Sequence, residues 1–262
     1  MPLKLMYITN SEDVAHIAEE AGVDRIFVDM EYIGKTDRQG GMDTVQSRHT
    51  ADDVRRLAQC LNKAELFVRV NPIHEKTDEY NSSKEEIDEA IEAGADLLML
   101  PYFKTAEEVQ TFVKYVNGRA KTVLLVETPE AAAIAEDLVQ IPGIDEMFIG
   151  LNDLSLGYGK NFMFELLLDG TVEELCLKFR KGGIPYGFGG IASLGKGMLP
   201  SEYVIKEHYR LGSACAILSR SFCRTGQVTD LKEIQKIFEI ELPKIRELEE
   251  ECRVHSCLLY TS

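Results

Sequence analysis

Short apolar runs recur along this chain, and a segment with helix start and stop signals follows each of them. Runs of this length, alternating with helical patterns, predict parallel strands joined by crossover helices. Eight such units within roughly 250 residues predict a (β/α)8 TIM barrel. A doubly wound open sheet is the alternative, because near-continuous apolar strands suit either fold. The runs cover residues 3–8, 25–29, 65–70, 96–100, 123–126, 147–149, 184–188 and 214–218.

The barrel is predicted to occupy residues 1–228 and to carry an extra C-terminal helix over residues 229–252. That helix has a narrow apolar stripe on an otherwise charged surface, which suits packing against a neighbour. Residues 253–262 show no hydrophobic period, so we expect an irregular tail outside the fold.

Charge and hydropathy argue against nucleic acids and membranes as partners. The 262 residues include 44 acidic and 29 basic side chains, a formal net charge of −15. Nucleic-acid binding that depends on neutralising phosphates is therefore disfavoured. The N-terminal apolar stretch is too short for a signal peptide, and no run approaches the roughly 18 apolar residues of a membrane span. We expect a cytoplasmic protein without a membrane partner.

Two carboxylates, Glu127 and Asp153, follow two consecutive predicted strands. The chemistry of such barrels lies at the C-terminal ends of the strands, so the pair predicts a divalent-metal site. Each carboxylate alone has a structural alternative. Glu127 precedes Thr128 and Pro129, which read as a helix cap and first helical residue, and Asp153 could be a turn residue.

Five sequence segments resemble the HpcH/HpaI aldolase and citrate lyase β-subunit superfamily. They are GVDRIFVDMEY, FVRVNP, GADLLMLPYFKTAEEV, LLVETPEA and IPGIDEMFIGLNDLSLGYG. The segments occur in the family's order over roughly residues 20–160, and the last is the most specific. The resemblance implies a (β/α)8 barrel that makes or breaks carbon–carbon bonds next to a 2-oxo acid, with Mg²⁺ or Mn²⁺ or Co²⁺ as cofactor.

The resemblance also implies residue roles. Glu127 and Asp153 would bind the metal, which would stabilise an enolate, and Arg69 would share the enolate charge. Backbone N–H groups around Gly150, Asn152 and Asp153 would hold the substrate carboxylate. C-terminal helices of the family commonly reach across subunits, so the helix over residues 229–252 is expected to pack on a neighbouring subunit of a homo-oligomer.

Tyr32 departs from the family pattern, in which an acidic residue is followed by a histidine implicated in proton transfer. A tyrosine with an ordinary pKa near 10 is a poor general base. Tyr32 itself, His49 and His74 are the candidate proton carriers, and each histidine has a structural role as its alternative.

Arg220, after the last strand, adds a cation that could bind an anionic tail. The expected substrates are accordingly a 2-oxo acid with an aldehyde or a sugar-derived partner. Two other functions stay open: an acyl-CoA lyase of the citrate lyase β type, and a non-catalytic barrel that binds a sugar acid.

Overall fold

Eight parallel strands close into a barrel in the computed structural model of the protein, which describes residues 1–34, 49–225 and 227–259. Each strand pairs with the next in the sequence, and β8 pairs with β1. The predicted barrel is confirmed, and the open sheet is wrong. The strands are β1 (Lys4–Ile8), β2 (Arg25–Asp29), β3 (Glu65–Arg69), β4 (Leu97–Leu100), β5 (Lys121–Val126), β6 (Glu146–Ile149), β7 (Tyr186–Ile191) and β8 (Cys215–Leu218).

Helices connect the strands around the outside of the barrel. Side-chain oxygens of Ser11, Thr50, Ser82, Thr105 and Thr128 accept N–H bonds at helix starts, as the cap pattern predicts. Among the described helices, none combines the length and the apolar character needed to cross a membrane. The helices are α1 (Glu12–Ala21), α2 (Ala51–Cys60), α3 (Ser83–Glu92), α4 (Ala106–Val116), α5 (Pro129–Ala133), α6 (Ala135–Leu138), α7 (Leu151–Gly157), α8 (Glu165–Leu168), α9 (Thr171–Lys181), α10 (Ser201–Leu211) and α11 (Leu231–Leu259).

The register of β2 against β3 stacks three matched pairs inside the barrel. Arg25 lies beside Glu65, Phe27 beside Phe67, and Asp29 beside Arg69. The two phenylalanine rings are 4.8 Å apart between centroids and belong to the apolar centre of the barrel. Because alternate residues of a strand face the same side, one apolar layer separates two charged layers at opposite ends.

The N-terminal end of the barrel is closed by a buried ion-pair network. Arg25 is 0% exposed and donates to Glu65 at 2.9 Å and to Glu146 at 2.7 Å. Lys121, the first residue of β5, also donates to Glu65. These charges pair with one another at the end of the barrel opposite Glu127.

Two sequence boundaries need correction. β7 was expected to end near Phe188, but it continues through two glycines to Ile191. A Cβ at Gly187, in the same strand, would lie 2.3 Å from the carbonyl oxygen of Cys215 in β8. Glycine here permits close strand pairing and does not end the strand.

The C-terminal helix is longer than expected and packs on its own chain. It extends to Leu259, into the predicted irregular tail; residues 260–262 lie outside the described part. The helix contacts α1 and α10, which bury most of its apolar stripe: Ile234, Phe238, Leu242 and Ile245. The stripe therefore gives no support for contact with a neighbouring subunit. Homo-oligomerisation stays a prediction, which light scattering tests.

Candidate active site

Glu127 lies at the C-terminal end of β5, directly after the strand, and is 3% exposed. Its Oε1 accepts a hydrogen bond of 2.9 Å from the backbone N–H of Tyr102, which follows β4. On the other side, its side chain lies against the bare Cα of Gly150 at the end of β6. A buried carboxylate is thus held between two neighbouring strand ends.

Asp153 enters the same site from the first turn of α7 and is partly exposed. Its carboxylate is close enough to Glu127 to disfavour ionisation of that side chain.

Thr128 and Pro129 do form the cap and the first residue of α5. The cap interpretation is therefore confirmed, and it is compatible with a metal-binding role for Glu127, which precedes the cap and stays a prediction.

Arg69 is held by carboxylates at the end of β3. It donates to Asp29 through Nε at 2.8 Å and through Nη2 at 2.7 Å, and its Nε is 3.4 Å from a Glu31 oxygen. Burial alone would lower the pKa of Arg69, but the charges of Asp29 and Glu31 raise it, so the guanidinium stays charged. In the described part of the chain Nη1 has no hydrogen-bond partner, which leaves a donor for a substrate oxygen.

Glu127 lies in a cluster of charged side chains. Asp29 and Glu31 contact the guanidinium of Arg69, and the charges of Glu31, Asp153 and Arg69 all act on Glu127. Burial raises the pKa of Glu127 well above its usual range, and the nearby charges of Glu31 and Asp153 raise it further, more than the charge of Arg69 lowers it. A buried carboxylate in this setting favours a bound proton or a bound cation.

Tyr32 lies at the edge of this cluster and is 47% exposed. The Oδ1 of Asn71 accepts its backbone N–H at 2.9 Å, and Glu86 in turn accepts from the Asn71 side chain at 2.7 Å. Burial of part of the ring and the charge of Glu86 raise the pKa of Tyr32. The phenol therefore stays protonated at neutral pH, which makes it a hydrogen-bond donor and not a base.

His74 is tied into its own loop after β3. Its Nδ1 lies 2.7 Å from the carbonyl oxygen of Pro72, and its Nε2 lies 2.8 Å from that of Asn81. Carbonyl oxygens only accept, so a neutral ring donates to one of them; if Nε2 donates to Asn81, Nδ1 can accept from the Ser83 hydroxyl, 3.0 Å away, and both nitrogens hold the loop. The structure favours the structural alternative for His74.

His49 lies against the end of β2. The backbone N–H of Asp29 donates to its Nδ1 at 3.0 Å. Because a backbone N–H can only donate, Nδ1 must carry the lone pair and a neutral ring must carry its proton on Nε2. His49 is thereby fixed beside the residue that clamps Arg69, in a tautomer that donates through Nε2.

The remaining predicted substrate-binding residues lie at the same end of the barrel. Gly150 is the residue before α7, and Asn152 is in its first turn. Arg220 is exposed, two residues beyond β8. Their binding roles stay predictions.

Asp29 and Tyr102 end or follow predicted strands, but the sequence assigned neither a role. Asp29 clamps Arg69, and the matching sequences RIFVD and ELFVR of β2 and β3 could have indicated this pair in register. Tyr102 acts through its backbone at a positive φ of 48°. No residue pattern in the sequence signals that conformation.

Comparison with known proteins shows the family of this chain. The family model of HpcH/HpaI aldolase/citrate lyase matches residues 4–166, more than half of the chain. The chain belongs to the HpcH/HpaI aldolase/citrate lyase family. The matched span contains Arg69, Glu127 and Asp153, and it ends before β7. No curated protein matches this family member in sequence.

Solved structures share the fold of this HpcH/HpaI family member at low identity. An HpcH/HpaI aldolase from Desulfitobacterium hafniense DCB-2 is 15% identical with a TM-score of 0.64, over 89% of this chain and 93% of its own. A family protein from Burkholderia cenocepacia J2315 is 16% identical with a TM-score of 0.66, over 89% and 95%. The citrate synthase SbnG is 14% identical with a TM-score of 0.61, over 89% and 94%.

Proposed function

We propose that this protein is a divalent-metal-dependent carbon–carbon lyase of the class II aldolase type, acting next to a 2-oxo acid. Membership of a family of aldolases and citrate lyases supports a lyase. The observation that carries the metal dependence is the buried carboxylate of Glu127 near that of Asp153, with a pKa raised by burial and by the charges of Glu31 and Asp153.

The donor atoms of the cluster fit a hard divalent cation. Glu127 and Asp153 offer carboxylate oxygens, the ligands that Mg²⁺ and Mn²⁺ prefer. A positive ion at this point would offset the repulsion that raises the pKa of Glu127. When bound, Mg²⁺, Mn²⁺ or Co²⁺ would supply Lewis-acid polarisation of a 2-oxo acid oxygen.

Arg69 is suited to hold the substrate oxygen on which negative charge develops. Its Nε and Nη2 are fixed by Asp29, so the guanidinium plane cannot turn away. Nη1 then presents a preorganised, charged donor at the barrel mouth. Preorganised donors of this kind stabilise developing charge more than mobile ones.

Tyr32 and His49 would act as neutral donors on the β2 side of the mouth. The phenol of Tyr32 keeps its proton because its pKa is raised. His49 carries its proton on Nε2 because Asp29 donates to Nδ1. We propose that these groups orient a hydroxyl or aldehyde oxygen of the second substrate, an aldehyde or sugar-derived compound, and that Arg220 binds an anionic tail.

Solvent deuterium exchange into the methyl group of pyruvate tests the proposal, because exchange requires enolate formation. We expect exchange with Mg²⁺, Mn²⁺ or Co²⁺ and its loss with a chelator. Glu127→Gln and Asp153→Asn should abolish exchange. Glu130→Gln is the matched control, since Glu130 lies three residues away on the surface and pairs with Lys104.

The alternatives give different results in the same assay. No exchange by the wild-type protein with any of the three ions would favour a sugar-acid-binding barrel. Exchange that needs an acyl-CoA in place of a free 2-oxo acid would favour a lyase of the citrate lyase β type. Exchange that survives both Glu127→Gln and Asp153→Asn would refute the assigned site.

A further inference from the structure

The backbone of Tyr102 adopts a conformation that is unfavourable for its residue type. Its φ is 48°, in the left-handed region, where a side chain crowds the following carbonyl group. Its N–H donates to Oε1 of Glu127 at 2.9 Å. Non-glycine residues in this region persist where the surroundings impose them, and they concentrate at functional sites.

Gly150 holds the other side of the same carboxylate. A Cβ at Gly150 would lie 2.7 Å from Cβ of Glu127 and 2.9 Å from its Oε2. The φ of Gly150 is −83°, so no unusual backbone conformation calls for glycine here. Glycine is required here because a side chain would collide with Glu127.

We propose that Tyr102 and Gly150 are positioning residues that fix Glu127 so that only Oε2 is presented to a divalent cation. Oε1 is engaged by the Tyr102 N–H, and Oε2 lies over the bare Cα of Gly150. Glu127 then binds the cation through one oxygen and leaves more coordination positions to the substrate. The inference rests on the proposed function, because it takes Glu127 as a metal ligand.

The affinity for Mn²⁺, measured from the electron paramagnetic resonance signal of the free ion, tests the role of Gly150. Gly150→Ala must displace Glu127, and we expect binding about 10- to 100-fold weaker, as for other losses of ligand support. Gly157→Ala is the matched control. Its Cβ would meet Cδ of Pro129 at 2.6 Å, so it crowds the same β5–α5 connection without touching Glu127. Its Mn²⁺ affinity should equal that of the wild type.

The role of Tyr102 is tested by separating its N–H from its side chain. An ester in place of the backbone amide at Tyr102 removes the donor and should weaken Mn²⁺ binding over the same range, about 10- to 100-fold. Tyr102→Gly keeps the donor and relieves the conformation. It should therefore weaken Mn²⁺ binding less than the ester does.

The outcomes distinguish this inference from the proposed function. A wild-type protein that binds no Mn²⁺ would overturn both. Wild-type binding that Gly150→Ala and the ester leave unchanged would overturn the positioning role alone. Binding that Gly150→Ala and Gly157→Ala weaken equally would show general disruption of the connection, and would also overturn it.

Discussion

Replacing Arg69 with methionine removes the only described cation of the carboxylate cluster while keeping most of its apolar stem. Asp29 then loses two charge-assisted hydrogen bonds, of 2.8 and 2.7 Å, and Glu31 loses a partner at 3.4 Å. All three side chains are largely buried, with exposures of 15%, 4% and 2%, so solvent replaces little of the loss. Breaking a buried pair by removing one partner typically costs about 3–5 kcal/mol.

The cost should depend on pH, because a carboxylate that has lost the Arg69 charge can bind a proton instead. Protonating a carboxyl group of ordinary pKa, about 3.9, costs about 4 kcal/mol at pH 7 and about 1.5 kcal/mol at pH 5. In the wild type Arg69 favours the ionised form of Asp29, and this contribution is fully present at both pH values because both lie above the unfolded pKa; the change with pH comes from the variant. The difference between variant and wild type should therefore shrink from about 4 to about 1.5 kcal/mol between pH 7 and pH 5.

Urea unfolding of the metal-free proteins at both pH values measures these differences. Arg25→Met is the functional control, since it breaks a buried pair at the opposite end of the barrel. It should lower stability but leave pyruvate exchange intact, whereas Arg69→Met should lose exchange. A cost of Arg69→Met that is the same at both pH values, or below the roughly 1 kcal/mol of a surface pair, would refute the reasoning.

Three further predictions concern single groups. Glu127→Gln should raise the unfolding temperature of the metal-free protein. The gain should grow as pH rises, because the folded state disfavours the ionised form of Glu127 and raises its pKa. An equal gain in unfolding temperature at pH 5 and pH 8 would contradict this. Long-range ¹H–¹⁵N NMR should show neutral His49 protonated on Nε2, and a proton on Nδ1 would exclude the hydrogen bond from Asp29. Glu249 accepts hydrogen bonds from the Leu3 N–H at 2.7 Å and from the Tyr209 hydroxyl at 3.1 Å. Glu249→Ala should lower the free energy of urea unfolding by about 2–3 kcal/mol. Glu250→Ala, at the exposed neighbouring residue, should lower it much less.

The barrel could be predicted because its strands are short, apolar and regularly separated by capped helices. The predicted bounds of β2, Arg25–Asp29, agree with the structure, because a charged residue stands at each end of its apolar run. β7 was harder, because its Gly187 is required by a carbonyl group of the neighbouring strand. A contact between strands that are distant in sequence is invisible to local propensity. The partner of α11 was missed for a similar reason: an amphipathic period indicates a buried face but not what covers it.

Some residues of the candidate site could likewise be predicted from the sequence, and others could not. Glu127, Asp153 and Arg69 could be predicted because each ends or follows a strand and carries a charge suited to the chemistry. The roles of Tyr32, His49 and His74 depend on hydrogen bonds to backbone groups of other segments, which the sequence does not encode locally. Tyr102 contributes only a backbone N–H, so its side chain gives no indication of its role.

The most direct test of metal-dependent chemistry at Glu127 and Asp153 is a crystal structure with Mn²⁺ and a 2-oxo acid. The anomalous signal of manganese locates the ion independently of any assumption about its ligands. We predict one strong peak in contact with Oε2 of Glu127 and a carboxylate oxygen of Asp153, with the 2-oxo acid bound to the same ion. A peak only at another group of possible ligands, such as His16, Glu19 and Glu20 on α1, would contradict the proposal.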